Sequence, residues 1–81
     1  MVRAFLVPLW RLQPPRVNVP HGLNLEVVAH HSYALRRDPG HHTEPVVVDA
    51  EDGGLLRIHD GRHRWIGYIS AGRNEILVRL R

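Results

Sequence analysis

With 81 residues, the chain has room for one modest hydrophobic core, and it is read as a single domain over 1–81. Hydrophobic residues make up 43% of it and six prolines are scattered along it, a globular composition. It contains no cysteine, which excludes disulfides, thiolate nucleophiles and cysteine zinc sites together.

No apolar run approaches the roughly twenty residues of a membrane helix, and Met1–Trp10 is too short and proline-broken for a signal peptide. No membrane association and a cytoplasmic location are therefore expected. The formal net charge is +3, and all eleven basic residues are arginine. Two explanations of that choice stand side by side. Arginine grips phosphate with two parallel bonds and suits nucleotides or nucleic acid, whereas a GC-rich genome writes arginine wherever a cation serves.

In chain order, Val2–Leu12 is apolar on both parities, which predicts a strand buried on both faces, with Pro8 at an edge, a bulge or the strand's end. The Q-P-P-R-V-N-V-P segment at 13–20 predicts an extended loop, in which Arg16 is either a solvated cation or a second phosphate contact. From Leu23 to Arg37 two periodicities compete. Leu25, Val28, Ala29, Ser32 and Tyr33 recur at helical spacing, while Leu23, Leu25 and Val27 alternate as in a strand. Length favours the helix, with Asn24 as N-cap, Leu23 stapled on Val28, and Asp38-Pro39-Gly40 as the stop.

Val46-Val47-Val48 predicts a central strand, Asp49–Gly54 a turn, and Leu55–His59 its hairpin partner, with Leu56 and Ile58 on one face. Asp60-Gly61 then turns into a helix over about 61–71, which places Arg62, Trp65, Ile66 and Ile69 along one stripe, its aromatic and aliphatic members expected to pack on the sheet. Gly67 permits close packing of that helix and Gly72 supplies a left-handed cap; Ile76, Val78 and Leu80 share one face of a last strand.

The segment from His59 to Gly72 is the chemical centre of the sequence. A helix start presents amide N–H groups without intrahelical partners and the positive end of a dipole, and here it also carries Arg62, His63 and Arg64. Cations are electrostatically misplaced there, and only Asp60 is nearby to compensate them; the alternative is that Asp60 caps the helix and the three side chains are solvated. The seven histidines do not make a metal site: His59 and His63 straddle a strand-to-turn junction, no carboxylate stands at ligand spacing, and no metal cofactor is expected.

T-E-P-V-V-V at 43–48, L-R-I-H-D at 56–60, G-R-H-R-W at 61–65, Gly67, A-G at 71–72 and I-L-V-R-L at 76–80 together resemble the ParB/sulfiredoxin-like superfamily, in particular ParB N-terminal-like domains of small bacterial or phage proteins. The resemblance implies an α+β fold, a small mixed sheet with two helices. It also implies that the Gly61-Arg62-His63-Arg64 turn binds the phosphates of a nucleoside triphosphate, CTP or ATP, with or without Mg2+. Within that reading Gly61 allows close backbone approach, Arg64 clamps phosphate oxygens and His63 donates a further bond. Removing the Arg64 side chain is then expected to abolish binding with little loss of stability.

The superfamily also implies that the loop carrying Thr43 and Glu44 faces the same pocket. Thr43 would bond a phosphate or sugar hydroxyl, and Glu44 would act as a base, hold a metal ion, or simply balance the cations. Sulfiredoxin chemistry is excluded, because Arg62 stands where that reaction needs a cysteine, and the helix-turn-helix part of ParB is not present in this sequence. The expected activity is binding of a nucleotide or other phosphorylated ligand. An alternative is a nucleic-acid (DNA-binding) or host-protein interaction module, and a third reading is a nuclease or phosphotransferase. Nothing in the sequence fixes the oligomeric state.

Overall fold

Val46-Val47-Val48, the most β-branched run of the chain, forms the middle of the sheet in a computed structural model that describes residues 3–16 and 22–81. All three valines are buried, and since neighbouring strand residues point to opposite faces, both faces of this strand are covered. The elements are β1 (Ala4–Pro8), a 3-10 turn (Leu9–Arg11), β2 (Leu12–Gln13), α1 (Leu25–Arg37), β3 (Val46–Ala50), a second 3-10 turn (Asp52–Gly54), β4 (Leu56–Asp60), α2 (Arg62–Ser70) and β5 (Glu75–Leu80). The sheet order is β1-β5-β3-β4-β2, with β3 and β5 parallel, β3 and β4 antiparallel, β1 antiparallel to β5, and β2 parallel to β4. This is the expected α+β arrangement of a mixed sheet and two helices.

The first segment departs from its expectation. Instead of one strand over Val2–Leu12 buried on both faces, β1 stops at Pro8 and buries only Val7. Phe5 and Leu6 stay 37% and 44% exposed because β1 is an edge strand with a single neighbour. Proline is tolerated there, its missing N–H removing no interior ladder bond. The chain then reaches the opposite edge within four residues, about 14 Å fully extended, although the outer strands of a flat five-stranded sheet lie about 19 Å apart. The sheet must therefore curl to bring its edges together at this end. Arg11 secures the turn by donating from Nε to the Gly54 carbonyl at 2.7 Å, and the Leu9 amide donates to the Asn74 carbonyl at 2.9 Å.

Helix α1 begins as expected. The Asn24 side chain accepts from the Glu26 and Val27 amides at 3.1 and 3.3 Å, satisfying two donors that the helix leaves unpaired. Its buried face is Val28, Ser32 and Leu35; Leu25, at 72% exposed, and Tyr33 fall outside it. Helix α2 is likewise rotated from its expected stripe. Gly67 and Tyr68 are buried, Trp65 packs on the core from its margin, and Ile69 is exposed. Tyr68 wins the central position because its ring fills the core while its hydroxyl finds polar partners, accepting from the Thr43 amide at 3.2 Å and lying 3.3 Å from His42 Nδ1.

The end of α2 is a Schellman motif. The Gly72 amide donates to the Ile69 carbonyl and the Arg73 amide to the Tyr68 carbonyl, with Gly72 at φ +71°.

The two helices lie side by side and run in the same direction. Asn24 meets His63 at their starts, and Ser32 meets Ser70 near the end of α2. Gly67 sets how close they come, since a β-carbon there would sit 2.7 Å from His31 Cβ. Gly67→Ala is accordingly expected to lower the unfolding free energy by about 1–3 kcal/mol. The effect should appear as a reduced urea midpoint with an unchanged slope.

Candidate functional site

The turn from β4 into α2 is a tight backbone passage on the border of a cavity. Gly61 occupies the N-cap position at φ +111°, a left-handed conformation that side chains oppose, and a β-carbon there would lie 3.1 Å from Val46 Cγ1 and 3.2 Å from Arg64 Cζ. No side chain caps the helix; Asp60 ends β4 and pairs with Arg64 at 3.4 Å instead. The amides of the first turn of α2 are thus left to solvent or to a ligand. Since α1 runs parallel, its own N-terminus arrives beside them. The Asn24 amide donates to His63 Nε2 at 2.9 Å, which requires the His63 ring to be neutral with its proton on Nδ1. Two helix dipoles therefore present their positive ends at one place.

That place opens into a cavity of about 830 Å³. Its wall carries five arginines, at 16, 57, 62, 64 and 81, against two carboxylates, Asp49 and Asp60. Compensation is uneven. On the far wall Arg57 pairs with Glu51 at 3.0 Å and donates to the Pro14 carbonyl at 2.9 Å, Arg16 also pairs with Glu51, and Arg81 pairs with Asp49 at 3.0 Å. Arg81 further donates to His59 Nδ1 at 3.1 Å. At the start of α2, Arg62 donates to the Gly22 carbonyl and, among the described residues, has no acidic partner and no acceptor for its buried Nε. Its neighbour Arg64 relies on Asp60, whose side chain is 71% exposed, and an exposed ion pair is worth little. The excess positive charge is concentrated at the α2 turn.

The expected residues divide into two groups. Asp60, Gly61, Arg62, His63 and Arg64 all line the cavity. Thr43 and Glu44 do not: Thr43 is buried against Tyr68 with its hydroxyl donating to the Glu44 carbonyl at 2.8 Å, and the Glu44 side chain is exposed. The expectation that their loop faces the same pocket is corrected on that ground, since Tyr68 draws Thr43 toward the core. Arg64 also differs in role from its expectation. Its guanidinium donates to the Pro45 carbonyl at 2.8 Å and lies 3.4 Å from the Glu44 carbonyl, so it braces the entry to β3 as well as bordering the cavity.

Several wall residues had no assigned role from the sequence. His31, Asp49 and Arg57 come from α1, β3 and β4 and Arg81 follows β5, and no local motif joins them. Among the described residues no group of three or more His, Asp or Glu side chains is placed to hold a metal ion, and no helix is long and apolar enough to cross a membrane.

No protein-family model and no curated protein matches the sequence. Solved structures match the fold. The chromosome-partitioning protein ParB from Caulobacter crescentus, C-terminally truncated and complexed with CTP-gamma-S, superposes with TM-score 0.79 at 21% identity, over 98% of this chain and 44% of that one. The same protein complexed to the centromeric parS site gives 0.78 at 20% identity, over 95% and 40%. Sulfiredoxin from Arabidopsis thaliana gives 0.69 at 22% identity, over 98% and 84%. The fold is ParB/sulfiredoxin-like, and the chain spans less than half the length of the two ParB structures.

Two outcomes follow from the site's geometry. Arg64→Ala is expected to cost about 1–3 kcal/mol of stability by leaving the Pro45 carbonyl short of a donor, measurable by urea unfolding. Glu51 is held below the usual carboxylate range, first by its hydrogen bond from Arg57 and then by the charges of Arg16 and Arg57, against partial desolvation. A lowered folded value means stability that is present above the unfolded glutamate pKa and lost as pH falls through the folded one. Glu51→Gln should therefore flatten the acid limb of a melting-temperature profile taken from about pH 6 to pH 3.

Proposed function

We propose that this domain binds a nucleotide or another phosphorylated ligand, with the phosphates seated on the Gly61–Arg64 turn. The observation that carries this reading is the pair of parallel helix N-termini, one without a capping side chain, opening together into a basic cavity. Amide donors, two converging dipoles and the uncompensated Arg62 make one concentrated anion seat. The cavity volume of about 830 Å³ falls in the range of small-molecule sites. A nucleoside triphosphate such as CTP or ATP has the right elements, a polyanionic tail for the turn and a neutral head for the more balanced far wall. The ParB structure of the same fold complexed with CTP-gamma-S supports that choice. Among the described residues no group of three or more His, Asp or Glu side chains is placed to hold a metal ion, so in this reading a magnesium ion would arrive on the ligand's own phosphates.

Binding is proposed rather than turnover, because Glu44, the carboxylate considered as a base, does not border the cavity. The fold is also that of a ParB complexed to a DNA site, which supports nucleic acid as a second reading. That reading implies affinity for a duplex that falls steeply with salt and is spread over many arginines.

The test is calorimetric titration with CTP, ATP and inorganic pyrophosphate, with and without Mg2+, for the wild type and for His63→Glu. A carboxylate in the first turn of a helix is favourable to the helix and hostile to an anion there. The variant should remain folded, checked by its melting curve, and lose at least about tenfold in affinity. Absence of saturable binding by the wild type would sink the proposal.

A further inference from the structure

His31 sits on α1 at the point where α2 comes closest, its Cβ filling the space left open by Gly67. It is half-buried and lines the same cavity as the α2 turn. The charged and titratable groups that face it come from every element packed around it: His30 on its own helix, Arg64 and His63 on α2, and His41 in the connection to β3. All are basic. In the free protein this imidazole therefore stands among basic groups on the wall of the cavity that also holds the Gly61–Arg64 turn.

We propose that His31 belongs to the anion-binding wall and takes up a proton when the cavity fills, so that ligand affinity rises as the solution becomes mildly acidic. This inference rests on the binding reading given above. Burial first, and then the surrounding positive groups, hold His31 below its ordinary histidine value in the free protein. An anion on the Gly61–Arg64 turn reverses both the sign of the local field and the hydrogen-bonding demand, since a charged imidazole donates from both nitrogens and a neutral one from a single nitrogen. Linkage then requires that a ligand which favours the protonated ring binds more tightly as pH falls through the ring's bound-state value. His63 does not fill this role, because its Nε2 is occupied as the acceptor for the Asn24 amide.

The experiment measures CTP, ATP and pyrophosphate affinity at pH 8 and pH 6 for the wild type and for His31→Gln. Protonation of the ligand itself is common to both proteins and cancels in their ratio. The wild-type advantage over His31→Gln is expected to grow by about tenfold between the two pH values, one pKa unit being a factor of ten. A second measurement needs no variant beyond signal assignment: the imidazole Hε1 titration of His31 in the wild type, followed with and without saturating pyrophosphate. Its midpoint should move upward on saturation. Saturable binding with a pH-independent ratio and an unmoved His31 midpoint would overturn this inference and leave the cavity reading standing. No binding by either protein at either pH would overturn both.

Discussion

The parallel packing of α1 against α2 is the constraint on which the rest of this protein depends. Gly67 lets the two backbones approach, and the parallel direction places like ends of two dipoles together. At the C-terminal ends the chain answers that repulsion with its own cations. Arg36 of α1 donates to the Ser70 carbonyl at the end of α2, and Arg73, just beyond α2, donates from one nitrogen to the Leu35, Asp38 and His41 carbonyls around the end of α1. Each helix end is closed by an arginine from the neighbourhood of the other. At the N-terminal ends the described residues supply Asn24 and the first-turn Glu26 on α1 but only the exposed Asp60 beside α2, which has no acidic residue in its own first turn. The α2 end is therefore the less compensated of the two.

This pattern also bears on the arginine content. Phosphate recognition and codon usage are both compatible with eleven arginines and no lysine, and the structure adds a further reason. Arg11, Arg36, Arg57, Arg62, Arg64 and Arg73 all donate to backbone carbonyls of segments distant in sequence. A planar guanidinium with several fixed donors holds such carbonyls in a defined direction, which a compact ammonium on a flexible stem does less well. In a chain with one small core, these cross-links fasten loops that apolar burial does not reach.

What was legible in the sequence was mostly local. Asn24 and Gly72 announce helix ends because capping is decided within a few residues, and the Val46–Val48 run marks the central strand because β-branching and full burial coincide there. The hairpin of β3 and β4 and the entry into α2 at Gly61 follow from the same short-range chemistry. The five residues of the α2 turn reached the cavity together because one turn carries them. What was not legible depends on neighbours supplied by the fold. Val2–Leu12 looks doubly buried until β1 is known to be an edge, and Tyr68 looks no more central than Ile69 until Thr43 is known to meet its hydroxyl. The far wall, from Asp49 to Arg81, is assembled from segments with no sequence relation to one another, and Thr43 left the expected pocket for the same reason that Tyr68 entered the core.

The sheet order has a consequence for how the chain acquires this structure. Strand β5 is last in sequence yet lies between β1 and β3, with Ala4 opposite Arg79 and Val46 opposite Val78. A chain emerging from the ribosome can form the β3–β4 hairpin and both helices, but β1 has no strand to join until β5 appears. Pairings so remote in sequence are entropically late, and proteins dominated by them fold slowly. The interval leaves the apolar edge of β3 uncovered, making the nascent chain most vulnerable to misassembly just before its synthesis of β5 is complete.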